Sequence, residues 1–173
     1  MIEEIPEGDK NTFELLKRAK ETSDYDEKIK LYDEVLELDR NFTEAWYQKG
    51  FALDRKGKSD EALTCYNEAL KIDPGNPGVW CLKGFVLNNM QKYEKAIECY
   101  DEALKIEPGD LFSWYQKGTI FENLSKYEDA VECYDRALEL DPSDAYVNER
   151  KMKLLQILGK TKDIEENIRN CMN

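Results

Sequence analysis

Around residue 65 the apolar positions fall at Ala62, Tyr66, Ala69 and Leu70, with charged and polar residues between them. Steps of four, three and one place these side chains on one face of a helix. The flanking residues bound two elements. One helix is predicted from about Trp46 to Lys56, where Gly57-Lys-Ser-Asp breaks it. A second runs from about Asp60 to Ile72, where Asp73-Pro-Gly-Asn stops it. Proline cannot continue a helix and glycine accepts the backbone of a turn.

The same pattern returns along the chain. Pro74, Pro108 and Pro142 lie 34 residues apart, as do Trp46, Trp80 and Trp114, and Gly50, Gly84 and Gly118. Ala62, Ala96 and Ala130 keep the step, with Tyr66, Tyr100 and Tyr134 and with Ala69, Ala103 and Ala137. Residues 77–110 align on 111–144 with 16 identities in 34, and residues 43–76 align on 77–110 equally well. A repeat this regular indicates stacked copies of one two-helix unit. Gly50 and Ala62 let the two helices approach closely, and Trp46 and Tyr66 fill the remaining space.

Two degenerate units flank the regular three. Residues 9–42 keep Tyr25, Tyr32 and Leu36 but carry Leu16, Val35 and Arg40 where Gly, Ala and Pro would stand. Residues 145–173 lose the Trp, Gly and Tyr, and there Met152, Leu155, Leu158, Ile164 and Ile168 form the apolar stripe. Terminal units of a solenoid differ because one face meets water. The expectation is one all-α solenoid with units 9–42, 43–76, 77–110, 111–144 and a capping unit 145–173: ten helices in five antiparallel pairs.

The unit Trp80, Gly84, Leu87, Tyr93, Ala96, Tyr100, Ala103, Pro108 resembles the tetratricopeptide repeat at each characteristic place. The resemblance covers residues 9–173 and is strongest over 43–144. The Glu-Cys-Tyr-Asp-Glu-Ala-Leu-Lys phrasing also looks like repeat proteins of methanogenic archaea. The resemblance implies a right-handed superhelix whose concave surface binds a partner protein.

Charge narrows the partners. The 173 residues hold 25 Lys and Arg against 37 Asp and Glu, a net charge of −12. Proteins that wrap a phosphate backbone need the opposite balance, so neither nucleic acid nor an anionic membrane is expected. Residues 1–144 carry 19 basic and 33 acidic side chains, whereas residues 145–173 carry 6 and 4. A basic, apolar protein or peptide therefore suits the main body. Met1-Ile-Glu-Glu-Ile-Pro-Glu-Gly has neither a basic start nor an apolar core. No signal peptide is expected, and no apolar run is long enough to span a bilayer. A cytoplasmic location with reduced thiols follows as an expectation.

Catalytic chemistry finds no footing. With no histidine, Ser-His and Cys-His nucleophile pairs and the commonest general base are excluded. No glycine-rich phosphate loop occurs. Cys65, Cys99 and Cys133 share one place in the unit. Packed helices sit about 8–10 Å apart, too far for equivalent sulfurs to share one metal ion or a disulfide. These cysteines, and Cys171 at the place of Ala69, are expected as small core residues. No catalytic residue, metal site or cofactor is assigned.

In the family that this chain resembles, the second, fifth, ninth, twelfth and thirteenth places of the unit face the groove. Carried onto this sequence, the resemblance assigns Phe13, Tyr47, Phe51, Cys81, Phe85, Asn88, Asn89, Phe112, Tyr115 and Asn123 to the partner-binding groove, with Tyr146 at one end. Exposed aromatics in such number mark an interaction site, and the asparagines suit a peptide backbone. Tyr47, Phe51, Phe85 and Tyr115 are expected on one continuous concave surface. The clamp by which chaperone-binding members hold a C-terminal carboxylate needs Lys at the fifth place and Asn at the ninth. Phe13 and Lys17, Tyr47 and Phe51, and Cys81 and Phe85 stand there instead, so no chaperone-tail binding is expected. Self-association through the basic C-terminal helices is the second expectation.

Overall fold

The computed structural model describes the backbone of residues 7–171 and the side chains of residues 11–159. All regular structure among them is helical: α1 Glu7–Glu21, α2 Tyr25–Leu38, α3 Thr43–Arg55, α4 Ser59–Ile72, α5 Pro77–Asn89, α6 Tyr93–Ile106, α7 Leu111–Asn123, α8 Tyr127–Leu140 and α9 Ala145–Cys171. The chain divides into two compact units, α1–α5 and α6–α9, with the boundary after Lys92. Within each unit, helices consecutive in the chain pack on one another.

Local chemistry sets the helix ends. Pro74, Pro108 and Pro142 each lie two residues beyond a helix. Asn76 and Asp110 open α5 and α7, their side chains accepting from the N–H of Val79 (3.2 Å) and Ser113 (3.1 Å). Pro77 fills the first helical position of α5, where its missing donor costs nothing. The turns after α3, α5 and α7 share a left-handed cap at one recurring place, held by Gly57 (φ 76°), Gln91 (φ 58°) and Ser125 (φ 58°). The N–H that follows reaches back to a carbonyl five residues earlier: Lys58 to Leu53, Lys92 to Leu87 and Lys126 to Phe121, at 2.8–3.0 Å. This closes the helix end.

The core follows the repeat. In the first unit Leu53, Ala62, Cys65, Tyr66, Ala69, Leu70, Val79 and Val86 form one buried cluster, and Leu15, Ala19, Leu31, Tyr32, Val35, Leu36 and Ala45 another. In the second unit Ala130, Tyr134, Ala137, Val147 and Leu154 are buried together. The glycine place is a point of close approach. A Cβ on Gly50 would lie 2.8 Å from Tyr66 Cε1, and one on Gly118 would lie 2.5 Å from Tyr134 Cε1.

Two expectations need correction. Residues 145–171 form one continuous helix, not a pair. The polar step there holds a lone glycine, Gly159, with no proline after it, and one glycine costs a helix only about 1 kcal/mol. The Trp side chains are half-buried rather than sealed between the helices of a pair. Trp46, Trp80 and Trp114 donate their indole N–H to the carbonyls of Arg40, Pro74 and Pro108 at 2.8–3.0 Å. They thus tie down the loop before each helix. Lys49, Lys83 and Lys117 place their ammonium groups over the same rings at 4.9–5.8 Å.

Candidate functional site

The expected groove residues fall on the first helix of each pair and are taken here unit by unit. In the first unit Phe13 lies on α1, Tyr47 and Phe51 on α3, and Cys81, Phe85, Asn88 and Asn89 on α5. Tyr47 and Phe51 are four residues apart and share a helix face. α3 packs directly on α5, which brings their equivalent places side by side. Phe13 and Phe51 are exposed, Phe51 at 41%. Tyr47, Cys81, Phe85 and Asn88 are half-buried, and Asn89 is exposed. Tyr47 rests against the buried cluster below it.

Charges of both signs surround these rings, with Lys17, Lys20 and Arg55 as well as Glu44 and Asp54 on α1 and α3. Glu44 on α3 pairs with Lys20 on α1 at 3.5 Å. Asp54 is half-buried, and burial pushes its carboxyl above the ordinary range despite the neighbouring Arg55. Burial, and then Glu44, raise the Tyr47 hydroxyl likewise.

In the second unit Phe112, Tyr115 and Asn123 lie on α7 and Tyr146 on α9. Phe112 is exposed and meets Tyr100 edge-on, with ring centroids 6.4 Å apart. Tyr115 packs between Tyr134 and Tyr146, at centroid distances of 6.2 and 6.0 Å. One carboxylate oxygen, Oε2 of Glu122, gathers three donors. They are the Tyr134 hydroxyl at 2.9 Å and Arg150 Nε and Nη2 at 3.1 and 2.8 Å. Arg150 Nη1 also donates to the Tyr146 hydroxyl at 3.0 Å. Asn123 is exposed at the end of α7.

Arg150 escaped the sequence reading. It holds the sixth place of its unit, outside the groove places that the family implies, and Glu122 lies 28 residues away. The one available signal was an arginine four residues after an aromatic at the groove end. Three hollows among the described residues lie away from these places. One of about 520 Å³ beside Trp46 is lined by Arg40, Asn41, Glu68, Lys71 and Ile72, and none of the expected groove residues borders it. Among the described residues no cluster of His, Cys, Asp or Glu is placed to hold a metal ion. No described helix is long and apolar enough to cross a membrane.

A family model for the tetratricopeptide repeat matches residues 43–76, 77–110 and 112–144, more than half of the chain. The chain belongs to the tetratricopeptide repeat family. Among solved tetratricopeptide structures, it is similar to the MamA protein, with a TM-score of 0.81 at 15% identity over 95% of this chain and 90% of that one. It is also similar to the first tetratricopeptide domain of Spaghetti (RPAP3) bound to the HSP90 peptide SRMEEVD. There the TM-score is 0.64 at 26% identity, over 68% of this chain and 93% of that one. The Arabidopsis OM64 tetratricopeptide domain matches with a TM-score of 0.61 at 22% identity, over 65% and 93%. No curated protein matches the sequence.

Proposed function

We propose that this tetratricopeptide protein is a non-catalytic interaction scaffold. It binds an apolar, basic peptide or helix of a partner protein on the first-helix faces of its repeats. The observation that carries this reading is the exposure of Phe13 and Phe51 beside the half-buried Tyr47 and Phe85. The second-helix aromatics Tyr66 and Tyr134 are, by contrast, sealed. A ring that the core does not need and water does not favour marks a contact surface.

Asp54 and Glu44 supply the acidity that selects lysine or arginine flanking the apolar anchors, and Asn88 and Asn89 suit the backbone of an extended chain. The solved relative that holds a peptide, SRMEEVD, supports the peptide-binding mode. The missing Lys and Asn clamp argues against an acidic C-terminal tail as the ligand here. A cytoplasmic setting, where thiols stay reduced, completes the reading.

The test is a displayed random-peptide library panned on the whole chain, followed by affinity measurement on the recovered peptides. They are expected to be apolar and basic. Phe51→Ala with Phe85→Ala is expected to weaken them at least about tenfold, since burying one such ring contributes about 1.5–3 kcal/mol. Helicity and melting stay near those of the parent. A folded double variant that binds as the parent does would move the site off this face.

A further inference from the structure

The twelfth place of the unit meets the next unit twice among the described residues. Lys20, at the twelfth place of residues 9–42, pairs at 3.5 Å with Glu44, at the second place of the following unit. Glu122, at the twelfth place of residues 111–144, accepts from Arg150 Nε and Nη2 at 3.1 and 2.8 Å. Arg150 holds the sixth place of its unit, and its guanidinium stands 5.7 Å over the ring of Tyr146, at the second place. The twelfth place thus faces the second and sixth places of the next unit.

Arg150 is in effect a ligand already bound. Its cation is held by a carboxylate, by the Tyr146 ring and by the Tyr146 hydroxyl. Tyr115 stands beside Tyr146, and the Tyr134 hydroxyl donates to the same Glu122 oxygen at 2.9 Å.

Asp54 on α3 is the matching carboxylate of the first compact unit, with Tyr47 at the place of Tyr115 and Tyr66 at the place of Tyr134. Burial and then Asp54 raise the Tyr66 hydroxyl, as burial raises that of Tyr134 with Glu122 bonded to it. Carboxylate and phenol are therefore neighbours in both. The next helix differs. Leu82 stands at the place of Arg150 and Gly78 at the place of Tyr146, so α5 offers neither a cation nor a ring. A Cβ built on Gly78 meets only Asn76 Oδ1, at 3.4 Å, which leaves that place open. Among the described residues the half-buried Asp54 carboxylate has no ion pair and no hydrogen bond. Burial pushes it up, and Arg55, next in the chain, offsets this only in part. Lys20 is already paired with Glu44. A carboxylate that is partly desolvated and unpaired gains more from an arriving cation than an exposed one does.

We propose that Asp54 is the subsite for one arginine side chain of the partner segment, an inference that rests on the groove reading above. The arriving guanidinium donates to Asp54 as Arg150 does to Glu122, entering through the space that Gly78 leaves. Tyr47, Phe51 and Asp54 follow one another at steps of four and three and share a helix face. The cation therefore sits at one end of the apolar anchors. Lysine fits less well, because the filled site takes two N–H groups from one planar guanidinium.

The test titrates the whole chain with Nα-acetyl-arginine amide and follows its backbone amide shifts by NMR. Saturable shifts are expected at Asp54, Gly78 and Leu82, and none from the neutral, similarly shaped Nα-acetyl-citrulline amide. Asp54→Asn is expected to keep the parent's helicity and to weaken the arginine probe at least about tenfold, as loss of a charged hydrogen-bond partner does. A parent without saturable shifts at these residues overturns the proposal. An equal response to the citrulline probe, or an undiminished response in Asp54→Asn, also overturns it. Should Asp54→Asn unfold, the citrulline comparison on the parent decides. Phe51→Ala with Phe85→Ala leaves the arginine probe bound at Asp54, so failure of the groove reading and failure of this subsite are separable.

Discussion

Gly118 marks a close approach of two helices in the second unit. Its missing side chain leaves room for the Tyr134 ring, which is fully buried and anchored through its hydroxyl to Glu122. A methyl group there would sit 2.5 Å from one ring carbon and 2.7 Å from another. The ring cannot swing aside without breaking its bond to Glu122. Gly118→Ala is therefore expected to cost roughly 1–3 kcal/mol, the range of overpacked cores, read as a lower thermal midpoint. Gly50→Ala should cost less, since the corresponding approach to Tyr66 is 2.8 Å. If Gly118→Ala melts with the parent, the contact is looser than described. The recurrence of Gly50, Gly84 and Gly118 made these places legible in the sequence. The Glu122–Arg150–Tyr146 cluster was not, because its members come from different repeats and none recurs at the 34-residue step.

Between paired helices the sequence showed a glycine only once, at Gly57. The other turns use Gln91 and Ser125 in the same left-handed conformation. The turn is made by backbone bonds from Lys58, Lys92 and Lys126 to the helix end, so side-chain identity announces it weakly. Left-handed backbone strains a residue with a Cβ by about 1–2 kcal/mol, and glycine avoids that at some cost in unfolded-chain entropy. Ser125→Gly is expected to raise stability by about 0.5–1 kcal/mol in urea unfolding. An unchanged or lowered midpoint would mean that Ser125 makes a compensating contact. Gly159 has the opposite history. The residue favours a turn, but the helix runs on, and so the expected tenth helix is absent from the described residues. Trp46, Trp80 and Trp114 are expected in the core, and they pack against its buried clusters. Their indole bonds to the preceding loop depend on where that loop passes, which periodicity alone does not fix.

Stability of the whole chain inherits the repeat through its buried acids. Cys65 on α4 and Cys133 on α8 occupy the same place two repeats apart, each 4% exposed. Burial raises both thiols from their ordinary 9.0 to about 11. Burial likewise raises Tyr66 and Tyr134 above their ordinary 10.0, with Glu122 accepting from the neutral Tyr134 hydroxyl. All four groups are neutral in the folded chain and lose their protons more readily once it unfolds. Their contribution is complete below the unfolded values and disappears as pH rises through the folded ones. A shift of this size corresponds to about 2–3 kcal/mol per thiol. Stability is therefore expected to hold up to about pH 9 and to fall steeply from there to about pH 11, with the tyrosines extending the loss beyond. Urea unfolding across that range measures it. Cys65→Ala with Cys133→Ala removes two of the four groups and should flatten the decline between about pH 9 and 11 while leaving the tyrosine part intact. A decline of unchanged steepness in that variant would show that the thiols are not the groups that charge on unfolding.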